Sequence, residues 1–578
     1  MGIVPFENLS SDATLNWAGR ALATAIVYDL EAAPDVHSQA VDSVSQAYAL
    51  PASRVLEGYF TQHGGRLELR AVIEDLRRTK TVASFEFSAP VSEGPLPLLN
   101  QLARRLSSSA RPYATSNPEA FRRYGEAMMA TDRTAMERDF ESATQADPHF
   151  DAAYAGWAEA LLAAGDRTAG LAVLTRARSQ SQDPIDRAEL DYLAAGANAD
   201  VNTRIAALEN LTRLTPANGK GFRELASLDV AQRKFADAVR AYVGAARVRP
   251  DDPSVWNELG YAHAFAQDLP AARQAIERYR QLSPDDANAL DSLGEVNFYL
   301  GDFGAAEKAF LDADRKHSPA FGGAELAKAA QARLLAGDLA GADALFAKYI
   351  ALAQPAQRAV AGYQQAQWEF LTGRRKAALT RIEQVLPSLP GDTQILALCQ
   401  LSLWRLETGE AKAAVDLANR AAAGAQTPQA RSLSDTFRII ATMQPSNTGS
   451  RNANAFALLF SRKYSEALPL LEAAYRETNP SADGQIRTLL AWVCVELGRL
   501  DDARKLVGLY PIPLTSGDPL FASLIFPRFL YLRGVVLEKE KRAEAKRSYE
   551  LYLKYAGDLP DIFGEEAKAR SNLTEPRP

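Results

Sequence analysis

The chain has 578 residues, 47% of them hydrophobic and 24% charged, so it is long enough for three or four ordinary domains or one extended array, and its composition is not that of a disordered chain. A formal net charge of −6 is mild for this size and argues against the clustered basic surface that a nucleic-acid groove requires. No apolar run reaches the roughly 18 residues of a membrane span, and the stretch after Met1 meets Glu7 and Asp12 before any signal-peptide core forms.

Residues 1–112 alternate short strands with helices. Ile3 to Phe6 reads as a buried strand. Leu15 to Ala32 reads as a helix, with Ala18, Leu22, Ala25, Ile26 and Leu30 at helical spacing, capped by Asp12 or Thr14 and closed by Pro34. Ser43 to Tyr48 suits a second short helix. Period-two alternation then takes over. Arg54 to Gln62 sets Val55, Glu57, Tyr59 and Thr61 on one face, and His63-Gly64-Gly65 signals a hairpin. Leu67, Leu69, Ala71 and Ile73 form the apolar face of the next strand. Arg77-Arg78-Thr79-Lys80 makes a polar turn, Val82 to Phe87 a third strand, and Pro95 to Ser108 a closing helix. The expected result is a small α/β sandwich.

Three stretches of this segment resemble the TolB-like amino-terminal domain found beside helical repeats in bacterial signalling proteins. They are Val4-Pro5-Phe6-Glu7-Asn8-Leu9-Ser10, Val55-Leu56-Glu57-Gly58, and Gly65-Arg66-Leu67-Glu68-Leu69 followed by Ile73-Glu74-Asp75. In that family the domain often follows a kinase, cyclase or winged-helix effector, sometimes across a membrane segment. The resemblance therefore implies a sensory or docking half.

From residue 113 onward the dominant signal is self-similarity. Phe140, Leu174, Leu208, Tyr242, Ile276 and Phe310 are each 34 residues after the last. Four residues before the bulky position, later units carry Ala238, Ala272, Ala306, Ala342, Ala378, Ala414, Ala467, Ala503 and Ala545. A small residue there lets two helices approach, and the large residue one turn on fills the space beside it. Tyr154, Phe222, Trp256 and Leu290 keep the same phase, and Leu259-Gly260 recurs as Leu293-Gly294. Gly165, Gly301, Gly337, Gly373, Gly409 and Gly498 mark turns between helices, and Pro148, Pro216, Pro250, Pro284, Pro319, Pro390 and Pro480 close units.

This pattern resembles the tetratricopeptide repeat, best seen in Trp256, Leu259, Gly260, His263, Ala272, Ile276, Tyr279 and Pro284, where His263 replaces the usual Tyr. The resemblance covers about 80% of the chain and implies a mainly α, superhelical solenoid of about twelve helix-turn-helix units, beginning near residues 117, 151, 185, 219, 253, 287, 323, 359, 395, 448, 484 and 526. A gap before 448 leaves about 19 extra residues. Leu433 to Thr442 reads as an added helical turn or two, and Pro445 to Asn454 as a flexible connection. The expected organisation is a TolB-like domain at 1–112, a first solenoid part of about nine units at 113–444 and a last part of about three units at 445–578.

Catalytic constellations were sought and not found. His37, His63, His149, His263 and His317 are far apart and form no HExxH. No P-loop, dinucleotide fingerprint or nucleophile elbow occurs. Asp251-Asp252, Asp285-Asp286 and Asp501-Asp502 sit at helix entries, where carboxylates suit exposed N–H groups. Cys399 and Cys494 lack metal-site or redox spacing and read as buried small hydrophobes. The sequence therefore reads as non-catalytic, with no cofactor or metal.

In the repeat family the first helix of each pair lines a concave face. By position, that face here would present Lys220 and Arg223, Asn257 and Tyr261, Asn288, Asp291 and Glu295, and Gln364 and Gln367. Asn and Gln can bond a ligand main chain of any sequence, and Tyr supplies contact area at low entropy cost. Lys220, Arg223 and Asn257 echo only part of the carboxylate clamp known in this family. The expectation is a scaffold that holds a protein or peptide partner, with no direct nucleic-acid contact and no membrane insertion. The alternative is the regulatory half of a larger kinase, cyclase or transcription regulator. The chain reads as cytoplasmic, or periplasmic if it is the downstream part of a membrane-anchored protein.

Overall fold

The computed structural model describes all residues except 50–51, 77, 199, 317–321, 513, 515–518, 559 and 575–578, so Arg77, His317 and Pro319 of the sequence reading lie outside it. The chain divides into two compact units, Met1–Val230 with Lys234–Glu258, and Ala231–Arg233 with Leu259–Pro578.

The first unit opens with β1 (Gly2–Ile3), β2 (Glu7–Asn8), α1 (Ala18–Leu30), β3 (Gln39–Ala40), α2 (Val44–Ala49), β4 (Arg54–His63), β5 (Arg66–Asp75), β6 (Lys80–Pro90) and α3 (Leu96–Leu106). The sheet runs β3-β1-β4-β5-β6, with β2 pairing β4. The expected hairpin is present in the register His63↔Arg66, turning through Gly64 and Gly65 at φ 56° and 75°, a region glycine enters without Cβ strain. Leu67, Leu69, Ala71 and Ile73 are buried on the face that α1 and α3 cover, while Val55 packs with Val41, Ala47 and Leu76 on the other. The first strand is shorter than expected: Ile3 pairs, but Phe6 leaves the ladder and its N–H donates to the Gly19 carbonyl (3.2 Å) instead.

Helix pairs follow in order: α4 (Pro118–Met129) with α5 (Arg133–Ala146), α6 (Asp151–Ala163) with α7 (Arg167–Gln180), α8 (Pro184–Asn198) with α9 (Val201–Leu214), α10 (Gly219–Ala231) with α11 (Phe235–Val248), and α12 (Pro253–Phe265) with α13 (Leu269–Leu282). They continue as α14 (Ala287–Tyr299) with α15 (Phe303–Arg315), α16 (Ala324–Ala336) with α17 (Leu339–Ala351), α18 (Arg358–Leu371) with α19 (Arg375–Val385), and α20 (Gly391–Glu407) with α21 (Ala411–Gly424). After α22 (Pro428–Thr442) come α23 (Arg451–Phe460) with α24 (Tyr464–Glu477), α25 (Gly484–Glu496) with α26 (Leu500–Leu506), then α27 (Ala522–Ile525), α28 (Arg528–Leu537) with α29 (Arg542–Ala556), and α30 (Glu565–Thr574). Every predicted unit start falls within four residues of a first-helix start. The inserted stretch is a full helix, α22, and longer than the turn or two expected: the Thr427 hydroxyl accepts from the Ala430 N–H, Pro428 suits the first turn, and Ala430 and Phe437 are buried on its apolar face.

The packing logic of the repeat is realised. Ala238, Ala272, Ala306, Ala342, Ala378, Ala414, Ala467, Ala503 and Ala545 are all at most 2% exposed. Facing them, Gly294 lies so close to the Phe310 ring that a Cβ would stand 2.4 Å from it, and Gly260 is pressed as tightly by Ile276. Asp166, Asp268, Asp302 and Asp338 each accept a main-chain N–H in the first turn of a second helix, at 2.9–3.2 Å. Asp252 and Asp286 do the same at first helices, as the acidic-pair reading anticipated. In the second unit one contiguous core runs from Phe298 to Ala569. Cys399 and Cys494 are both buried in it and form no disulfide.

Candidate functional site: inner helix faces and a cavity in the first unit

The residues expected to line the inner face divide by their surroundings. In the second unit most are already engaged. Asp291, 5% exposed on α14, accepts from Lys328 Nζ on α16 through both oxygens (2.8 and 2.7 Å), and Glu295 accepts from the same ammonium at 2.6 Å. The Tyr261 hydroxyl donates to Glu295 Oε2 at 2.7 Å. Burial pulls the Lys328 ammonium down, but Glu295 and Asp291 outweigh it and hold it above its ordinary value; burial pushes Asp291 up against the pull of Lys328. Asn288 Nδ2 donates to the Tyr279 hydroxyl (3.0 Å) and Gln364 Nε2 to the Tyr349 hydroxyl (2.9 Å).

Gln367 Nε2 donates to Gln400 Oε1 (3.1 Å), and Gln400 Nε2 donates to the Leu520 carbonyl (2.6 Å). The same unit makes further contacts with its own first helices. Tyr510 N–H donates to the Tyr299 carbonyl (2.8 Å), Leu514 N–H to Gln331 Oε1 (2.9 Å), and Ser523 Oγ to Glu407 Oε1 (2.6 Å). Amide side chains on α16 and α20 thus hold the protein's own main chain. Ile512, Leu520, Phe521 and Ala522 are correspondingly buried. Lys328, Gln331 and Gln400 escaped the sequence reading. Their only signal was a polar residue within a first helix, which the sequence does not separate from the more exposed Asp and Arg of the same helices.

In the first unit the three remaining candidates are differently placed. Lys220 is exposed in the first turn of α10. Arg223 is held by Glu258, its Nε 2.7 Å from Oε2. Asn257 Oδ1 is buried and accepts no hydrogen bond among the described residues. An unmet buried acceptor is costly, so among the described residues Asn257, like the exposed Lys220, keeps polar capacity that is not spent internally.

A cavity of about 570 Å³ opens beside these helices, lined by the end of α1 (Val27, Leu30, Glu31), residues 36–41 with β3, Lys220 and Arg223 of α10, and the 248–255 turn. Burial pushes the Glu31 carboxyl up to about 7, with Lys220 pulling the other way, and it also raises Glu159, again opposed by Lys220. The His37 ring is pushed down to about 4, by burial first and by nearby positive charge second. The cavity therefore has a low-dielectric wall. Nearby, Arg111 ties the α/β segment to the helices: its guanidinium is 2.7 Å from Asp186 and 3.2 Å from Asp183 and covers the Tyr28 ring at 3.7 Å.

Stacked helix pairs with small and large residues in 34-residue phase define a helical repeat protein. Profiles of the tetratricopeptide repeat match residues 223–287 and 458–525, so the chain contains tetratricopeptide repeats, modules that bind protein or peptide partners. Neither match reaches the amino-terminal α/β segment. No curated protein matches the chain. Among solved structures, 31% of this chain is similar to 92% of YrrB, described as a TPR protein with an unusual peptide-binding site, at 18% identity and a TM-score of 0.28. A piece of MamA from Desulfovibrio magneticus RS-1 matches 29% of this chain over 94% of its own length, at 16% identity and a TM-score of 0.25. PilF of Pseudomonas aeruginosa matches 34% of this chain over 89% of its own length, at 11% identity and a TM-score of 0.26.

Proposed function

We propose that this protein is a non-catalytic scaffold that holds a peptide or protein partner on the inner helix face of its first unit, with Lys220, Arg223 and Asn257 at the contact. The observation that carries this reading is the half-buried Asn257 carboxamide, whose Oδ1 meets no donor among the described residues and which can turn outward to bond a partner's main chain beside the exposed Lys220. The groups on α14, α16 and α20 support it by contrast, because their hydrogen-bonding capacity is taken up within the second unit. The test is affinity capture from extract of the source cells by the intact chain and by a chain carrying Lys220→Glu with Asn257→Ala. Recovery of the partner should fall at least fivefold. Undiminished recovery would remove this face from the function.

A further inference from the structure

The cavity of the first unit borders an edge of the sheet. β3 is the terminal strand and among the described residues pairs only with β1, in the parallel register Gly2↔Gln39 and Ile3↔Ala40. Gln39 N–H donates to the Met1 carbonyl and Val41 N–H to the Ile3 carbonyl, both at 3.0 Å. Main-chain groups alternate sides along a strand, so the N–H and C=O of Ala40 point away from β1, along the outer edge. Gln39 and Ala40 are exposed, and Ser38 through Val41 line the cavity. An exposed edge of this kind is a template for another strand.

Part of the lining around that edge is aliphatic: Leu30 and Val255 are buried, and Val27 and Val36 are half-buried. The volume lies within the roughly 300–1,000 Å³ of ligand sites. The charges at its rim are unequal. Arg223 is matched by Glu258, and Arg249 stands 3.3 Å from Asp252. Lys220 lies near Glu31, whose carboxyl burial pushes up to about 7, and near Glu159, whose carboxyl burial also raises, and it stands in the first turn of α10, where the helix dipole adds positive potential. The chemistry that completes this rim is a carboxylate.

We propose that the cavity docks an extended partner segment that alternates apolar and acidic residues, adding as a further strand along β3, with an apolar side chain among Val27, Leu30, Val36 and Val255 and a carboxylate on Lys220. This rests on the reading of the chain as a peptide-binding scaffold, and it names the kind of peptide. Because proline lacks the edge N–H and is tolerated on an edge strand, Ala40→Pro should remove the pairing while leaving the fold intact.

The experiment pans a ten-residue random peptide display library on the full chain and on Ala40→Pro, Lys220→Glu and Asn257→Ala chains of matched melting temperature, with the enriched peptides measured by fluorescence anisotropy. The expected peptides alternate apolar and acidic residues, bind at least tenfold more weakly to Ala40→Pro and to Lys220→Glu, and lose as much when N-methylated. Enrichment that Ala40→Pro leaves unchanged overturns the strand-addition inference, and if Asn257→Ala abolishes that same binding the groove reading stands without it. No enrichment over the Ala40→Pro chain overturns the inference too, whereas capture of a partner through Asn257 would still support the groove.

Discussion

Lys328→Met tests whether Asp291 and Glu295 are structural groups or an open binding face. The substitution keeps the length of the side chain and removes the ammonium. Three charged hydrogen bonds of 2.6–2.8 Å disappear, and the Lys328 side chain is only 11% exposed, so water does not replace them. Breaking a buried pair by removing one partner costs about 3–5 kcal/mol, since the other charge is left without compensation. The sign with pH follows from Asp291, whose carboxyl burial already pushes above its ordinary value and which loses the counteracting pull of Lys328 in the variant. An acid whose folded pKa exceeds its unfolded pKa destabilises the fold when ionised, and the loss is relieved as pH falls through the folded value. Urea unfolding at pH 8 should therefore show the full deficit, and at pH 5 a smaller one, as Asp291 takes up its proton. Asp291→Asn in the Lys328→Met background should recover part of the loss at pH 8. Faster amide exchange in α14 and α16 would place the damage. A cost below about 1 kcal/mol at pH 8, or a deficit unchanged at pH 5, would refute the reasoning and return both carboxylates to the set of open groove residues.

Gly294→Ala should cost about 1–3 kcal/mol by forcing the Phe310 ring aside, whereas Gly304→Ala, whose Cβ would meet nothing within 4 Å, should be neutral or stabilising; thermal unfolding midpoints compare the two. Gln400→Ala removes the bonds to Leu520 and Gln367 and should cost about 1–2 kcal/mol, read as a lower urea midpoint with faster exchange in residues 519–526. Asn257→Ala should shift stability by less than about 1 kcal/mol, because its oxygen accepts no internal hydrogen bond, while it weakens partner capture. Cys399 and Cys494 should resist a thiol reagent until the chain unfolds, since both are buried and burial pushes the Cys494 thiol up to about 11.

The sequence by itself determined the repeat. Small and large residues one helical turn apart, recurring every 34 positions, describe contacts between near neighbours along the chain, and such contacts leave a periodic trace that Ala272, Ile276 and Gly260 carry on their own. The hairpin at Gly64-Gly65 and the helix entries at Asp252 and Asp286 were legible for the same reason: each depends on a few adjacent residues. What the tertiary structure decided was which inner-face groups are spent. Lys328 reaches Asp291 across 37 positions and Gln400 reaches Leu520 across 120, and no local pattern records either pairing. The cavity beside β3 joins residues near 30, 40, 220 and 250, so its existence depends on how the chain returns on itself within the first unit. Periodicity encodes how consecutive hairpins stack; which polar groups remain free for a partner is a property of long-range closure, which a one-dimensional period does not contain.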